Sequence, residues 1–231
     1  MKVLDLFSGL GGWSQSFKER GHEVVTVEIE QKFNPTICKN IMELTKEDFK
    51  QWIPFDVVLA SPPCNCFSIA SVYRHWDKET RRPKDQQTYD SIDLVGHTIK
   101  LILSVHPMYW ILENPRGMLR NVLGKPQVTT YYASWGDWKL KPTDLWGVIP
   151  PGIKWKKPKK WVKAPRGSHT GTQGIEGNYI KKSWPKNFTH YVRDTSLRAL
   201  IPYGLSESIC LACENQCHND NKNKEKKLWG D

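Results

Sequence analysis

No stretch of this 231-residue sequence approaches the roughly 18–20 uninterrupted apolar residues that a bilayer span requires. Nor does it open on a charged region followed by an apolar signal core. Met1-Lys2-Val3-Leu4-Asp5-Leu6-Phe7 reads instead as an immediate buried strand. The expectation is a cytoplasmic protein with no membrane partner. Internal repeats are absent as well, so no solenoid or propeller is in play. Cysteine is sparse and lopsided: Cys38, Cys64, Cys66, Cys210, Cys213 and Cys217, with no secretory context, which argues for free thiols over a disulfide framework. Cys210-x2-Cys213-x3-Cys217-His218 lacks the second ligand cluster that zinc sites usually pair with, and on a helix its cysteines share one face. Packing, with no metal, is the reading. Acidic groups are in deficit, 24 Asp and Glu against 34 Lys and Arg, for a formal charge of +10. Such a surplus suits a polyanion, because each neutralised phosphate releases condensed counterions, but a solvated basic surface accounts for it equally.

What is present fits one medium domain with a small inserted lobe. The first half alternates strand-like and helix-like stretches, the pattern of a parallel sheet with helical crossovers. Strands are expected at Lys2–Phe7, Glu23–Ile29, Phe55–Ala60 and Met108–Leu112, and helices at Gly12–Glu19 and Ser91–Val105. Residues 1–146 form this α/β unit. From Gly147 the chain turns dense in Gly, Pro, Lys and Trp, a loop-rich lobe over 147–190. Helical spacing returns over 191–217, and 218–231 reads as a polar tail. Most of the eleven tryptophans must serve the core.

Three clusters carry chemistry, each after a strand C-terminus, where open α/β sheets bind ligands. Asp5-Leu6-Phe7-Ser8-Gly9-Leu10-Gly11-Gly12 is a glycine-rich strand-to-helix turn that lets a ligand approach the backbone, and a structural turn would need glycine too. Glu28, ending the second strand, can accept hydrogen bonds from both ribose hydroxyls of a nucleoside cofactor. Ser61-Pro62-Pro63-Cys64-Asn65-Cys66-Phe67-Ser68 is a proline-stiffened loop that could hold a thiolate nucleophile or merely bury a thiol. Cys66 reads as packing. Glu113-Asn114-Pro115-Arg116-Gly117 offers a crevice carboxylate, or a helix N-cap.

In their order and spacing these clusters resemble the cofactor, nucleophile and Glu-Asn motifs of DNA cytosine-5 methyltransferases. Thr129-Thr130-Tyr131-Tyr132 through Lys141-Pro142-Thr143-Asp144-Leu145-Trp146, with Ala164-Pro165-Arg166-Gly167, is similar to the compact members found in bacteriophages. The resemblance implies the Rossmann-like, doubly wound, mostly parallel α/β fold of S-adenosylmethionine-dependent methyltransferases with a small recognition lobe. It further implies that Asp5, Phe7, Gly9, Gly11, Gly12 and Pro62 belong to the S-adenosylmethionine site, with Glu28 on the ribose. Asn40, with Ile41, falls where the family has an acidic residue on the adenine. Cys64 would attack carbon 6 of a flipped cytosine, and Glu113 would bond ring nitrogen 3 and the exocyclic amine. Ser68 to Asp93 would be the loop that closes over double-stranded DNA, with Ser68, Arg74, His75, Trp76, Arg81, Arg82 and Lys84 fit for phosphate and base contacts. Arg166, His169, Thr170 and Gln173 would read the groove from the lobe. A monomer is expected.

The chain departs from the family pattern in four places. Glu-Asn-Val is Glu-Asn-Pro, the Gln beside the nucleophile is Asn65, and Gln-x-Arg-x-Arg appears only as Lys139-Leu140-Lys141. Lys139 or Lys141 is expected to supply the missing positive charge. The Asn near the C-terminal cofactor motif has no counterpart around Pro202 to Glu207. Three alternatives stay open on sequence alone: an RNA substrate, amino-methylation, and a catalytically silent DNA-binding protein. Amino-methyltransferases, however, place an aromatic residue where this chain has Cys64.

Overall fold

The computed structural model describes residues 1–137, 141–156 and 199–228, with side chains as far as 217. Short apolar runs buried on both faces are the signature of parallel strands, and four of them build the centre of the sheet: β1 (Lys2–Leu6), β2 (Glu23–Glu28), β4 (Val57–Ala60) and β5 (Tyr109–Pro115). A two-residue β3 (Ile37–Cys38) flanks β2, while β6 (Val128–Tyr131) and β7 (Pro142–Val148) complete the far side. The order is β3-β2-β1-β4-β5-β7-β6, parallel through β5, with β7 antiparallel to both its neighbours. The chain winds one way from β1 and the other way from β4. The reversal leaves a crevice beyond their carboxyl ends, as the Rossmann-like, doubly wound reading expects.

Alternation along each strand splits the core. Val3, Val57, Leu59 and Ile111 face a cluster with Trp13, Phe17, Tyr132, Leu205 and Ile209, whereas Leu4, Leu6, Val58 and Ala60 face Phe49, Phe55, Leu101 and Ile102. The first face is covered by α1 (Gln15–Glu19) against the last helix, Tyr203–Leu228. The second is covered by the long helix Gln86–Ser104. Two short helices, Val72–His75 and Arg120–Leu123, lie between these elements. Among the described residues the helices, in chain order, are labelled α1, α2 (Val72–His75), α3 (Gln86–Ser104), α4 (Arg120–Leu123) and α5 (Tyr203–Leu228).

Several boundaries differ from the sequence expectation. Helix α1 begins at Gln15 rather than Gly12, because Gly9 and Gly11 hold positive φ angles of 47° and 77° and keep the chain turning. Helix α3 begins at Gln86, five residues before the expected Ser91. Asp85 caps it, its carboxylate accepting from Thr88 N at 2.9 Å, which ends the loop expected to run to Asp93. Gly147, expected to open the lobe, is inside β7. Helix α5 runs on through 218–228, the stretch expected to be a polar tail. The rest of the lobe falls almost wholly outside the described residues.

Candidate active site

The register of the sheet explains why distant motifs meet. Leu6 of β1 pairs with Ala60 of β4, and Ala60 with Leu112 of β5, so β1 and β4 end level while β5 runs three residues further, which places the Glu-Asn motif inside the strand rather than after it. Phe7, Ser61 and Glu113 each follow that line. Beyond it lies a cavity of about 440 Å³ walled by Phe7, Gly9, Gly12, Glu28, Asn40 and Ile41, together with Ser8, Trp13, Phe33, Ser61, Pro63, Leu94 and Ile201. Six sequence-expected cofactor residues thus share one wall. Of the other three, Gly11 shapes the turn, Asp5 lies beneath it, and Pro62 is buried with its carbonyl accepting from Asn114 Nδ2 at 2.9 Å.

The electrostatics of this turn are unusual. Phe7 sits in left-handed backbone at φ 61°, a strain typical of ligand sites in a non-glycine residue. Glu28 accepts from Gly9 N at 2.9 Å through one oxygen and from Ile29 N at 2.8 Å through the other, tying the second strand end to the glycine turn. Asp5 is fully buried, and neither of its oxygens has a hydrogen-bond partner. Burial pushes its carboxyl up to about 7, against the opposing pull of neighbouring Ser14 and Lys18.

The nucleophile loop lies next to this cavity. Cys64 is partly exposed, and its carbonyl accepts from Phe67 N and Ser68 N, both at 3.0 Å, which winds the loop into a turn. Burial raises the Cys64 thiol. Lys141 pulls it back down and Glu113 adds to the rise, so both groups act on the sulfur. Cys66, by contrast, is buried in the core, as expected. The Pro62–Asn114 bond holds the loop against β5, and so does Gly117. A Cβ there would come within 2.1 Å of Phe67 O, whose carbonyl accepts from Met118 N at 2.7 Å.

Glu113 is buried at the end of β5. Its Oε1 accepts from Tyr132 Oη at 3.1 Å and from Thr143 Oγ1. Lys141 Nζ donates to Tyr132 Oη at 3.0 Å and lies 4.1 Å from the ring centroid. Tyr132 and Thr143 have no assigned role in the sequence reading. Tyr132 stands in the stretch similar to phage members, in the turn after β6, but its partner is 19 residues away on β5, and no local spacing reveals that. Lys139 is outside the described residues, whereas Lys141 is brought to the carboxylate and the thiol.

The residues expected at DNA divide. Arg74, Arg81, Arg82 and Lys84 are exposed and Ser68 half-buried, bridged to Gly117. Lys84 Nζ donates to Tyr73 O at 2.9 Å, which occupies one of its protons. Arg81 joins Lys78 and Arg116 around a second cavity of about 630 Å³ beside the nucleophile loop. His75 and Trp76 are corrected, because neither is a surface group. Trp76 is 2% exposed, with its indole N–H on Cys66 O at 2.6 Å, and His75 Nδ1 lies 2.8 Å from Asp85 Oδ2. Both hold the loop to the core. Arg166, His169, Thr170 and Gln173 lie outside the described residues. The cysteine cluster packs: Cys210 and Cys213 are buried in the core, and burial pushes the Cys210 thiol up to about 12. His22, Cys210 and Glu214 do come together, but Glu214 is taken by a two-pronged pairing with Arg20 at 2.7 and 2.9 Å. No helix among the described residues is long and apolar enough to cross a membrane.

The chain is similar to several known proteins. The methyltransferase M.XorII of Xanthomonas oryzae pv. oryzae is 27% identical over 131 residues, half of this chain but 28% of its own length. A probable DNA (cytosine-5)-methyltransferase of Frog virus 3 is 29% identical over 162 residues, 65% of this chain and 73% of its own. The solved structure of an Entamoeba histolytica methyltransferase overlaps 70% of this chain and 57% of its own at 16% identity, with a TM-score of 0.46. Against M.XorII the chain thus spans under a third of the relative's length. The model of C-5 cytosine-specific DNA methylase matches residues 1–130, more than half of the sequence and all three strand-end motifs, and the chain belongs to that family.

Proposed function

We propose that the protein methylates carbon 5 of cytosine in double-stranded DNA, with S-adenosylmethionine as methyl donor and Cys64 as nucleophile. The observation that carries this reading is the convergence of a partly exposed thiol, a buried carboxylate and an ammonium group beside a cavity of cofactor size. The cavity's residues fit the cofactor. Glu28 suits ribose hydroxyls, Phe7, Phe33 and Ile41 offer apolar walls to a purine, and the buried carboxylate of Asp5 beneath the glycine turn would favour a ligand ammonium through its charge. When bound, S-adenosylmethionine supplies an electrophilic methyl group. Asn40 and Ile41, which line the cavity, would hold the adenine, and since Asn40 Oδ1 accepts from Met42 N at 3.1 Å, its amide N–H groups would be the ones to meet a ligand.

The target base must leave the duplex, because carbon 6 is unreachable inside the stack, and extrusion costs about a few kcal/mol. The Cys64 sulfur then adds to carbon 6, its proton having gone to solvent. The displaced electron pair moves to ring nitrogen 3, which Glu113 meets with a proton. Carbon 5 becomes the nucleophile, and loss of its proton later expels Cys64. Lys141 favours the thiolate and the charge that develops on Glu113, the role that the family resemblance implies for Lys139 or Lys141. Arg74, Arg81, Arg82 and Ser68 suit the DNA backbone, with Lys84 in support, and the lobe's Arg166, His169, Thr170 and Gln173 remain the proposed base readers. Such an enzyme works in whichever compartment holds its DNA.

The test is DNA carrying 5-fluorocytosine, since fluorine cannot leave as the carbon 5 proton does. A denaturation-resistant adduct is expected that depends on S-adenosylmethionine, disappears in Cys64→Ala and persists in Cys66→Ala. Bisulfite sequencing of DNA from cells expressing the protein should show protected cytosines. An adduct mapping to Cys66, or carbon 5 methylation by Cys64→Ala, would overturn the mechanism.

A further inference from the structure

We infer that Tyr132 is a positioning residue for Glu113, carrying the positive charge of Lys141 to the carboxylate so that one oxygen is held and the other is free to serve the base. The inference rests on the cytosine-5 reading above and names a residue which that reading does not need.

The geometry is specific. Both hydroxyl donors, Tyr132 Oη and Thr143 Oγ1, reach the same atom, Glu113 Oε1. Among the described residues Oε2 makes no hydrogen bond, and it is the oxygen left for a proton shared with ring nitrogen 3. A phenol has a single proton, and Tyr132 spends it on Glu113 while its lone pair accepts from Lys141 Nζ. The donors therefore run in one direction, ammonium to phenol to carboxylate, and each bond polarises the next. Tyr132 is fully buried. Its phenol is held well above the ordinary range by burial and by the Glu113 carboxylate, so it keeps its proton and works as a fixed donor.

That arrangement acts at one point of the reaction. When the Cys64 sulfur forms its bond to carbon 6, the electron pair of the 5,6 double bond shifts through carbon 4 onto nitrogen 3. The Oε2–H bond of Glu113 breaks as the N3–H bond forms. The carboxylate left behind carries a full negative charge in a buried place, and the donors on Oε1 are what stabilise it. Charged and titratable groups on each neighbouring element take part. Lys141 comes from the segment entering β7, Cys64 from the loop after β4, and Asp137, which acts on Tyr132, from the turn after β6.

The experiment measures single-turnover adduct formation on 5-fluorocytosine DNA, with S-adenosylmethionine saturating, for the parent, Tyr132→Phe, Glu113→Gln and the double variant. Tyr132→Phe keeps the ring and removes only the hydroxyl. It should slow the adduct about 10- to 100-fold, the scale of one lost hydrogen bond to a charged group, and leave cofactor affinity within about twofold. In the Glu113→Gln background the same change should cost nothing more, because its route to the base is already cut. On DNA carrying 5-azacytosine, whose ring nitrogen at position 5 takes up the displaced electron pair, the loss should shrink. A residue that served packing alone would slow both bases equally and add its cost to that of Glu113→Gln, and either result overturns the inference. So does a Tyr132→Phe variant that matches the parent. If the parent forms no adduct at all, the cytosine-5 reading itself fails and takes this one with it.

Discussion

Asp5 occupies a position that a carboxylate tolerates poorly. It lies on β1 under the glycine turn, fully buried, with both oxygens lacking donors. Ionising it there costs free energy, which is why burial lifts its carboxyl from the usual range to about 7. The consequence for stability follows from proton counting. Between about pH 4 and 7 the folded chain keeps the Asp5 proton while an unfolded chain has released it. The native state then binds more protons, so its stability falls as pH rises through that window. Below the window the group contributes nothing, and above it the penalty is complete. Asp5→Asn, which stays neutral, should remove this slope and gain roughly 2–4 kcal/mol over the parent at pH 8 relative to pH 4.5, read by thermal or urea unfolding. The same variant should bind S-adenosylmethionine more weakly if the ligand ammonium is what offsets the buried charge. A parent with a flat profile between pH 4.5 and 8 would contradict the assignment.

At the scale of elements, the crevice depends on contacts between segments that are far apart in the sequence. The nucleophile loop touches β5 and the turn after it at two places, the Pro62–Asn114 hydrogen bond and the approach of Phe67 to Gly117. The second place admits no side chain. Gly117→Ala would drive a methyl group into Phe67 O, and backbone on both sides must move to relieve it. A destabilisation of about 2–4 kcal/mol is expected in unfolding experiments, with adduct formation lost more completely than stability because the Cys64 loop shifts. Full activity in Gly117→Ala would show that the loop position matters less than argued. Gly117 also illustrates how far the sequence could be read. The strands β1, β2, β4 and β5 were legible because strands buried on both faces are runs of apolar residues, and their polar endings marked the site. Strands β6 and β7 were not, since several of their buried positions, Thr130, Thr143 and Asp144, carry polar side chains that are satisfied by Trp135, Glu113 and Arg120 from other parts of the chain. Asp144, for example, is fully buried against Arg120 at 2.6 Å. The start of α3 was missed because its first turn, Gln86 to Tyr89, is polar, although Asp85 three residues before Thr88 was a usable cap signal. Trp76 and His75 look like surface groups in a charged loop, and only the Cys66 carbonyl and Asp85 reveal that they are anchors.

Among the described residues the expected cofactor, nucleophile and Glu-Asn groups gather at one end of the central strands. Glycine turn and thiol loop follow the carboxyl ends of β1 and β4, Glu113 and Asn114 stand near the end of β5 beside them, and three cations, Lys78, Arg81 and Arg116, line the neighbouring cavity. The formal charge of the chain is +10, a surplus that suits phosphate neutralisation. Binding to duplex DNA should therefore fall log-linearly with salt, with a slope of about 0.9 for each phosphate contact, when measured by fluorescence anisotropy between about 50 and 200 mM salt. Individual cations should differ in a way the structure anticipates. Arg82 is exposed, and Arg82→Ala should lower the slope by about one contact and weaken all sequences alike. Lys84 already gives one proton to Tyr73 O, so Lys84→Ala should change the slope less while loosening the loop. Arg166, by contrast, should change which sequences are preferred if the lobe reads bases. An affinity indifferent to salt, or an Arg82→Ala variant with the parent's slope, would remove the phosphate backbone from the account of this face and leave its basic charge as ordinary solvation.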